Sequence, residues 1–354
     1  MRYLGIDWSR KTSHFNVGDQ AGKRLKQGSI DNQVESFRRL IREWKDQEGI
    51  IVVIESGGRT FKWARAMEQE GADVFVLETH QNALIRESTR KTDSRDALQL
   101  REQARLGMLP PDRVPIASEK EEQLRLLLKA RANAVAERTA LSNRAVGIAD
   151  YYGFYMAKGA CTVDTGWKVL LGQSLDWSEV HQLLIKQLYE QYYLNQQQLA
   201  VLEDELSLRC SEPEVEKKAV LLRTIPGVGK VTTWSICARV GDIQRFSNSR
   251  KLVRYAGLAP SQRQSGNMRG GGRITKSGNA LLRGCLVQAA GAIIQSKDNS
   301  NPLRIWYEQV KKRRGWKKAR VALARKLLTV IYGVLKSERP FDASYLRMEA
   351  QEAA

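Results

Sequence analysis

The sequence predicts an α/β domain over the first third of its 354 residues, followed by two mainly helical regions. Short β-branched runs alternate with helical periodicity as far as residue 117. Long polar stretches with leucine at three- and four-residue intervals follow, and beyond residue 212 apolar helical segments are separated by glycine-containing turns. We therefore predict domains over residues 1–117, 118–212 and 213–354.

The elements of the first domain follow in order. "RYLGID" is a short strand, and "SHFNVGDQAGKRLKQGSI" alternates around a glycine-containing turn, as a hairpin does. "NQVESFRRLIREWKDQEG" has helical spacing and stops at Gly49. "IIVVIESGG" is typical of a strand buried on both faces. Another helix, the strand "ADVFVLET" and a helix within "RKTDSRDALQLREQARLG" complete the domain, and "LPPDRVP" (109–115) is predicted to be a linker.

The middle region is predicted to be a helical hairpin or coiled coil. Its two leucine-containing stretches span residues 118–148 and 177–211, with an aromatic insert between them that begins "DYYGFYMAKG". Packing in a core or interface is favoured over base stacking for these aromatic side chains. The role of the insert over residues 150–176 stays open.

Charge indicates a polyanionic partner for the last region. The chain carries a net charge of +19 and a pI of about 9.9. Residues 217–339 hold 27 lysines and arginines against four carboxylates, so the rest of the chain is slightly acidic. This asymmetry points to nucleic acid as the partner of one region only.

Several protein classes are excluded by composition. The four cysteines lie far apart without a CxxC pair, so neither a zinc site nor a disulfide framework is indicated, which fits a reducing cytoplasm. The start "MRYLGIDWSR" lacks the apolar stretch of a signal peptide. No run approaches the roughly 18 apolar residues of a membrane span.

A helix-hairpin-helix pattern opens the basic region in "LLRTIPGVGKVTTWSICARVGD". Gly227 and Gly229 allow a tight turn, and the following helix would offer free N–H groups and a positive dipole end to a phosphate, with Lys230 adding charge. Such contacts bind a nucleic-acid backbone without reading its sequence. The alternative is a plain turn between packed helices.

Four carboxylates form the predicted metal site. Asp7 and Glu55 end strands of the predicted parallel sheet, where open α/β sheets carry their sites. Asp93 and Asp96 share one face of a predicted helix. Oxygen ligands alone suit Mg²⁺, and two such ions would clamp the attacking and leaving oxygens of a phosphodiester. Each acid alone is more often a surface charge or a helix cap, as Asp93 in "KTDSRD" would be.

"QSGNMRGGGRITKSGN" (264–279) holds five glycines, two serines and three basic residues, Arg269, Arg273 and Lys276. Either it is a solvated loop, or its glycines let an anionic ligand approach the backbone closely. The histidines, His14, His80 and His181, all lie outside the basic region. The basic region therefore has no histidine that could pair with a serine, and a serine nucleophile would need a group outside this region to activate it.

The motifs together resemble one family, the DEDD transposases of bacterial insertion elements, which include the pilin-gene invertase and the bridge-RNA-guided recombinases. The resemblance covers nearly the whole chain in order and is carried by "GIDWSRKT", "IVVIESGG", "KTDSRDALQL", "TIPGVGKVTTWSICARVGD" and "YAGLAPSQRQSGNMRGGGRITKSGNALLRGCLVQAA". It implies a cytoplasmic, nucleoid-associated bacterial enzyme that recombines donor and target DNA.

The resemblance also implies a fold and a mechanism. The first domain would be RNase H-like, similar to junction resolvases, with Asp7, Glu55, Asp93 and Asp96 binding Mg²⁺. Ser265 falls where the family places its nucleophile, which forms a phosphoserine intermediate. A coiled coil would join this domain to the C-terminal transposase domain. The active form would be a homo-oligomer, a dimer or a tetramer in the synapse, guided by an element-encoded bridge RNA.

One departure and several alternatives accompany this interpretation. Family members often carry further serines just after the Ser-Gly pair, whereas Asn267 and Met268 follow here. A Mg²⁺-dependent resolvase or nuclease would use the carboxylates alone, and a non-catalytic nucleic-acid-binding protein would use neither site. The basic stretch "VKKRRGWKKARVALARK" either holds phosphates or is a solvated helix face beside an apolar one.

Overall fold

The computed structural model describes residues 1–77, 92–109, 114–265, 268–276 and 278–347. The chain divides into two compact units, Met1–Glu119 and Lys120–Ala354. The predicted boundary at residue 117 lies beside this division, and a further boundary at residue 212 stays a prediction. In the described ranges, no helix combines the length and the apolar character that crossing a bilayer requires.

A five-stranded mixed sheet forms the centre of the first unit. Its strands are β1 (Arg2–Trp8), β2 (Thr12–Asp19), β3 (Arg24–Asp31), β4 (Ile50–Glu55) and β5 (Asp73–Leu77). The spatial order is β3-β2-β1-β4-β5. The first three strands are antiparallel neighbours, whereas β1, β4 and β5 run parallel. All five predicted strands are present.

Within the described residues, three helices cover this sheet: α1 (Val34–Trp44), α2 (Thr60–Gln69) and α3 (Asp93–Arg105). Phe37 of α1 stacks on Trp63 of α2 with ring centroids 4.7 Å apart, and both side chains are buried. Helix α3 lies directly on β1. A Cβ at Gly5 would stand 2.0 Å from the Ala97 carbonyl oxygen, so only glycine allows this approach.

The predicted linker is part of the first unit at its C-terminal end. Residues 110–113 lie outside the described residues. The Val114 N–H donates to the Val76 carbonyl at 3.2 Å, and the side chains of Val114 and Ile116 pack against the core of the sheet. This segment is therefore held to the edge of the sheet and is not a free linker. The linker prediction relied on composition and did not foresee that its β-branched side chains are partly buried.

Helices dominate the second unit. They are α4 (Glu119–Tyr151), α5 (Asp164–Gln173), α6 (Glu179–Cys210), α7 (Pro213–Arg223), α8 (Lys230–Val240), α9 (Ser249–Tyr255), α10 (Ala280–Gln295), α11 (Pro302–Arg314) and α12 (Trp316–Ser337). Strands β6 (Pro260–Ser265) and β7 (Met268–Ile274) form a two-stranded antiparallel sheet between α9 and α10.

Three apolar clusters hold the second unit together. Helices α7 to α12 enclose a core that includes Leu286 and Leu327. The distal halves of α4 and α6 pack around Trp167 of the insert. At the other end of this helix pair, Leu124 and Leu206 pack with Trp234 of α8, which joins the long helices to the C-terminal core.

The aromatic insert is largely a packing element, as the sequence favoured. Tyr152 stacks on Trp177 with ring centroids 4.4 Å apart, and Trp167 is fully buried. Tyr151 and Tyr155 are exposed, by 75% and 85% respectively. The insert therefore closes the tip of the helix pair and leaves two tyrosine rings in solvent.

Candidate active site

Two of the predicted acids lie at the ends of adjacent parallel strands. Ile6 of β1 pairs with Ile54 of β4, so Asp7 and Glu55 follow at the same level of the sheet. The Trp8 indole N–H donates to the Glu55 carbonyl at 3.1 Å. Gly57 lies against this indole, because a Cβ there would stand 1.7 Å from the ring. The indole thus fixes the backbone beside both carboxylates.

Asp93 and Asp96 occupy the first turn of α3. The N-cap position belongs to Thr92, so the alternative interpretation of Asp93 as the cap is wrong. Carboxylates in a first helical turn are favoured by the positive end of the helix dipole. Since Gly5 brings α3 onto β1, this turn reaches the strand end that carries Asp7.

Electrostatics shows that the four acids share one neighbourhood. The pKa of Asp7 is raised to about 7, most strongly by burial and then by the charges of Asp96, Asp93 and Glu55 in that order of size. Such a shift requires carboxylates within Coulomb range and limited access of water. Perturbed carboxylates of this kind concentrate at functional sites.

The donor set fits a hard divalent cation. All four side chains offer carboxylate oxygens, which Mg²⁺ and similar ions prefer. In the ranges that the structure describes, no three acidic, histidine or cysteine side chains converge closely enough to hold one ion. The acids are thus neighbours that repel each other, and a cation between them would offset the repulsion that raises the pKa of Asp7.

His14 belongs to this site and was missed by the sequence analysis. It pairs with Asp7 across the β1–β2 ladder, and its Nε2 lies 3.5 Å from an Asp93 oxygen. The Ser9 N–H donates to the Thr12 carbonyl at 3.1 Å and closes the turn that sets this register. The short turn between the two strands was the signal that could have located His14.

The glycine-rich segment forms a β-hairpin from residues 260–265 and 268–274, and the choice between a solvated segment and an anion-binding one stays a prediction. Ser265 is the last residue of β6 and pairs with Met268 of β7. The side chains of Ser265, Arg269 and Arg273 lie outside the described part of the structure, so these residues are placed by strand position alone. Ser277 lies outside it entirely.

The base of this hairpin is fixed to the segment after α9. The Thr275 N–H donates to the Ala259 carbonyl at 2.9 Å. Lys276, which is exposed, adopts a left-handed backbone with φ of 56°, an uncommon conformation for a residue with a Cβ. At Gly278 (φ 109°) a Cβ would stand 2.3 Å from the Tyr255 carbonyl oxygen. The strand ends are therefore closely tied to the helical core.

The predicted helix-hairpin-helix is present as α7, a turn and α8, and its two glycines differ. Gly227 has φ of 82°, and a Cβ there would stand 2.2 Å from the Ile293 side chain. This exposed glycine shapes the turn through its positive φ, and the absence of a Cβ leaves room for Ile293. Gly229 caps α8 and faces open space, beside the exposed Lys230. Such an open helix N-terminus is a common site for a phosphate, and the nucleic-acid contacts of both glycines stay a prediction.

The basic stretch is split between two helices. Residues 311–314, four consecutive lysines and arginines, form the last turn of α11. Gly315 (φ 77°) breaks the helix, and Trp316, which is 58% exposed, starts α12. The apolar side chains Leu323 and Leu327 are fully buried. Charge and apolar periodicity therefore serve different surfaces of the same stretch.

Two family models match the chain. A transposase model of the DEDD class from IS110 elements matches residues 4–152, which include the four acids. A model described as the transposase IS116/IS110/IS902 family matches residues 219–304, which include the helix-hairpin-helix and the β-hairpin.

Curated relatives agree along nearly the whole chain. The transposase for insertion sequence element IS1111A of Coxiella burnetii is 28% identical over 96% of this chain and 91% of its own length. The pilin gene-inverting protein of Moraxella bovis is 27% identical over 96% and 97%. That of Moraxella lacunata is 36% identical over 38% and 42%. The chain therefore belongs to the DEDD transposase family of insertion elements and is an enzyme that recombines DNA.

Proposed function

We propose that this transposase cleaves and rejoins DNA with Mg²⁺ held by Asp7, Glu55, Asp93 and Asp96, through a phosphoserine on Ser265. The observation that carries the acidic part is that Asp7 and Glu55 end adjacent parallel strands at one level, while Asp93 and Asp96 occupy the first turn of the helix that lies on β1. The raised pKa of Asp7 agrees with this placement. The order β3-β2-β1-β4-β5, with the acids at the ends of β1 and β4, supports an RNase H-like arrangement of the first unit.

Each residue of the acidic site has a separate task. Bound Mg²⁺ would supply Lewis-acid stabilisation of charge on the phosphate oxygens. Asp7 and Glu55 fix two oxygen ligands to the rigid sheet, and Asp93 and Asp96 bring theirs from the helix. His14 lies beside Asp93, with its Nε2 3.5 Å from an Asp93 oxygen. Trp8 covers the Glu55 backbone and limits the access of water.

Ser265 supplies the nucleophile in this proposal. Its Oγ forms a bond to phosphorus as the bond from phosphorus to one deoxyribose oxygen breaks, with the serine proton released and a proton taken up by the leaving oxygen. The free hydroxyl of another strand then attacks the phosphoserine, which restores Ser265 and closes the new phosphodiester. Arg269, Arg273 and Lys276 would neutralise phosphate charge around this exchange.

The partners are proposed as DNA, a bridge RNA and further copies of the chain, so that the enzyme works at the nucleoid. Gly229, Lys230 and the basic end of α11 offer backbone contacts to either nucleic acid. A homo-oligomer is supported by an exposed apolar stripe on α6 with seven-residue spacing or multiples of it, namely Val180, Leu194, Val201 and Leu208.

A trapped intermediate tests this proposal. The full chain is incubated with a suicide DNA substrate, with Mg²⁺ or with a chelator, and the modified peptide is mapped by mass spectrometry. We expect a Mg²⁺-dependent adduct on the peptide that contains Ser265. Ser265→Ala should abolish it, Ser261→Ala should retain it, and Asp7→Asn should abolish it without loss of DNA binding.

The same assay separates the second candidate. All four acids lie in the first unit, so a resolvase-like nuclease would need no serine. Strand cleavage that requires Mg²⁺, persists in Ser265→Ala and yields no adduct would establish the nuclease and refute the phosphoserine. Absence of any Mg²⁺-dependent scission would favour a nucleic-acid-binding protein without catalysis.

A further inference from the structure

A groove of about 240 Å³ lies between α4, α8 and α10 of the second unit. Arg131 lines it from α4, Ser235 and Arg239 from α8, and Gly284 and Gln288 from α10. Side chains that can donate hydrogen bonds therefore reach it from all three helices, and none of the described residues that line it carries a carboxylate. Its chemistry is that of an anion site.

Arg239 is the unusual member of this set. Its side chain is only 8% exposed, and its Nε makes no hydrogen bond. Within the part of the chain that the structure describes, no carboxylate pairs with its guanidinium. Burial, and after it the charge of Arg125, lower the pKa of Arg239. A buried guanidinium without an anionic partner is costly to keep, since apolar side chains of similar size pack at no such cost.

Two further positive groups face the same groove. Arg131 is held there by an ion pair with Glu203, to which its Nε donates at 2.7 Å, so part of its charge is already compensated. The first turn of α10 lines the groove through Ala280 and Leu281, and N–H groups at this position have no acceptor within their own helix. The Asn279 side chain accepts from the N–H of Leu282, and its carbonyl accepts from the N–H of Arg283. A helix N-terminus and two guanidinium groups together suit a phosphate.

We propose that this groove binds a phosphate group of a nucleic-acid backbone, with Arg239 as its buried anchor. The choice of nucleic acid rests on the proposed function of the transposase, whereas the phosphate chemistry does not. The position of the groove supports a nucleic-acid strand as the ligand. The Tyr255 hydroxyl donates to the Arg239 carbonyl at 2.8 Å, and the Tyr255 carbonyl accepts from the Asn279 N–H at 3.2 Å. Arg239 is thus linked to the base of the hairpin that carries Ser265.

The first experiment uses inorganic phosphate and needs no DNA. Thermal unfolding of the full chain is followed as phosphate replaces chloride at constant ionic strength. We expect phosphate to raise the unfolding midpoint of the wild type and not that of Arg239→Met, since a ligand stabilises only a fold that binds it. Without phosphate, Arg239→Met should unfold at the same or a higher temperature. Arg239→Lys should keep part of the phosphate-induced shift. Arg144 is an exposed arginine of α4, and the control variant Arg144→Met should keep the whole shift.

The second experiment tests for the strand. Binding of a short single-stranded oligonucleotide is measured over a range of salt concentrations. Loss of one phosphate contact makes the negative slope of log K against log salt shallower by about 0.7. We expect this change in Arg239→Met and not in Arg144→Met. An equal phosphate shift in wild type and Arg239→Met, or none in either, would overturn the site. A lost shift with an unchanged slope would overturn the nucleic-acid assignment and indicate a free phosphate.

Discussion

Asp7 shows how one residue reports a whole site. It is ordinary in sequence, an aspartate at the end of a strand, yet its pKa near 7 records burial and the charges of Asp96, Asp93 and Glu55. A carboxyl with a raised pKa binds its proton more tightly in the folded chain than in the unfolded chain. The unit therefore loses stability as this group ionises.

Asp7→Asn should make the stability of the chain less dependent on pH. In the wild type without divalent cations, the unfolding free energy should fall as the pH rises from the ordinary carboxyl range near 4 to about 7, and then level off. The slope from one proton is at most about 1.4 kcal/mol per pH unit. Urea titrations across this range check the prediction, and an unchanged pH dependence in Asp7→Asn would contradict it.

At the scale of elements, the site depends on how closely α3 lies on β1. Gly5→Ala places a methyl group against backbone atoms of Ala97 and Arg101, which cannot rotate away. We expect a loss of about 3 kcal/mol in the unfolding free energy, as overpacked cores show. Gly58→Ala is the matched control, because its Cβ would meet nothing within 4 Å. Equal stability of the two variants in urea would refute this account.

The helix-hairpin-helix allows a similar comparison. Gly227→Ala should destabilise the second unit, since the position has φ of 82° and contacts Ile293. Gly229→Ala should change the unfolding free energy by no more than about 0.5 kcal/mol. It should nevertheless weaken DNA binding, because a methyl group at the start of α8 hinders approach of a phosphate. Thermal unfolding and DNA titration of both variants check this prediction. If both variants bind DNA as tightly as the wild type, the motif serves packing alone.

Across the whole molecule, we expect the uneven charge to determine where nucleic acid binds. Replacing Lys311, Lys312, Arg313 and Arg314 together by glutamine removes four positive charges from the end of α11 without touching a buried side chain. Each lost contact to duplex DNA should lower the salt slope by about 0.9. Filter binding at several salt concentrations measures the slope. A variant with Lys186→Gln on α6 should keep it, and an unchanged slope in the quadruple variant would assign this surface to another role.

The sequence predicted what periodicity and chemistry encode. The five strands and the chemistry of the four acids followed from alternation, β-branched runs and strand ends. The β6–β7 hairpin did not, because three consecutive glycines carry no side-chain pattern that distinguishes a strand from a loop. His14 and Arg239 were missed for a different reason. Their significance comes from partners distant in sequence, or from the lack of one, and one-dimensional patterns do not contain that information.

The contact of Gly5 with Ala97 also sets an order in time. The ribosome makes β1 about 90 residues before the helix that covers it, and at about 5–20 residues per second this interval lasts roughly 5 to 20 seconds. During this interval, the face of β1 that α3 later covers is not yet covered, and Asp93 and Asp96 have not been synthesised. A nascent chain that has not yet reached Asp93 and Asp96 lacks two of the four acids, and under the proposed function such a chain cannot cut DNA.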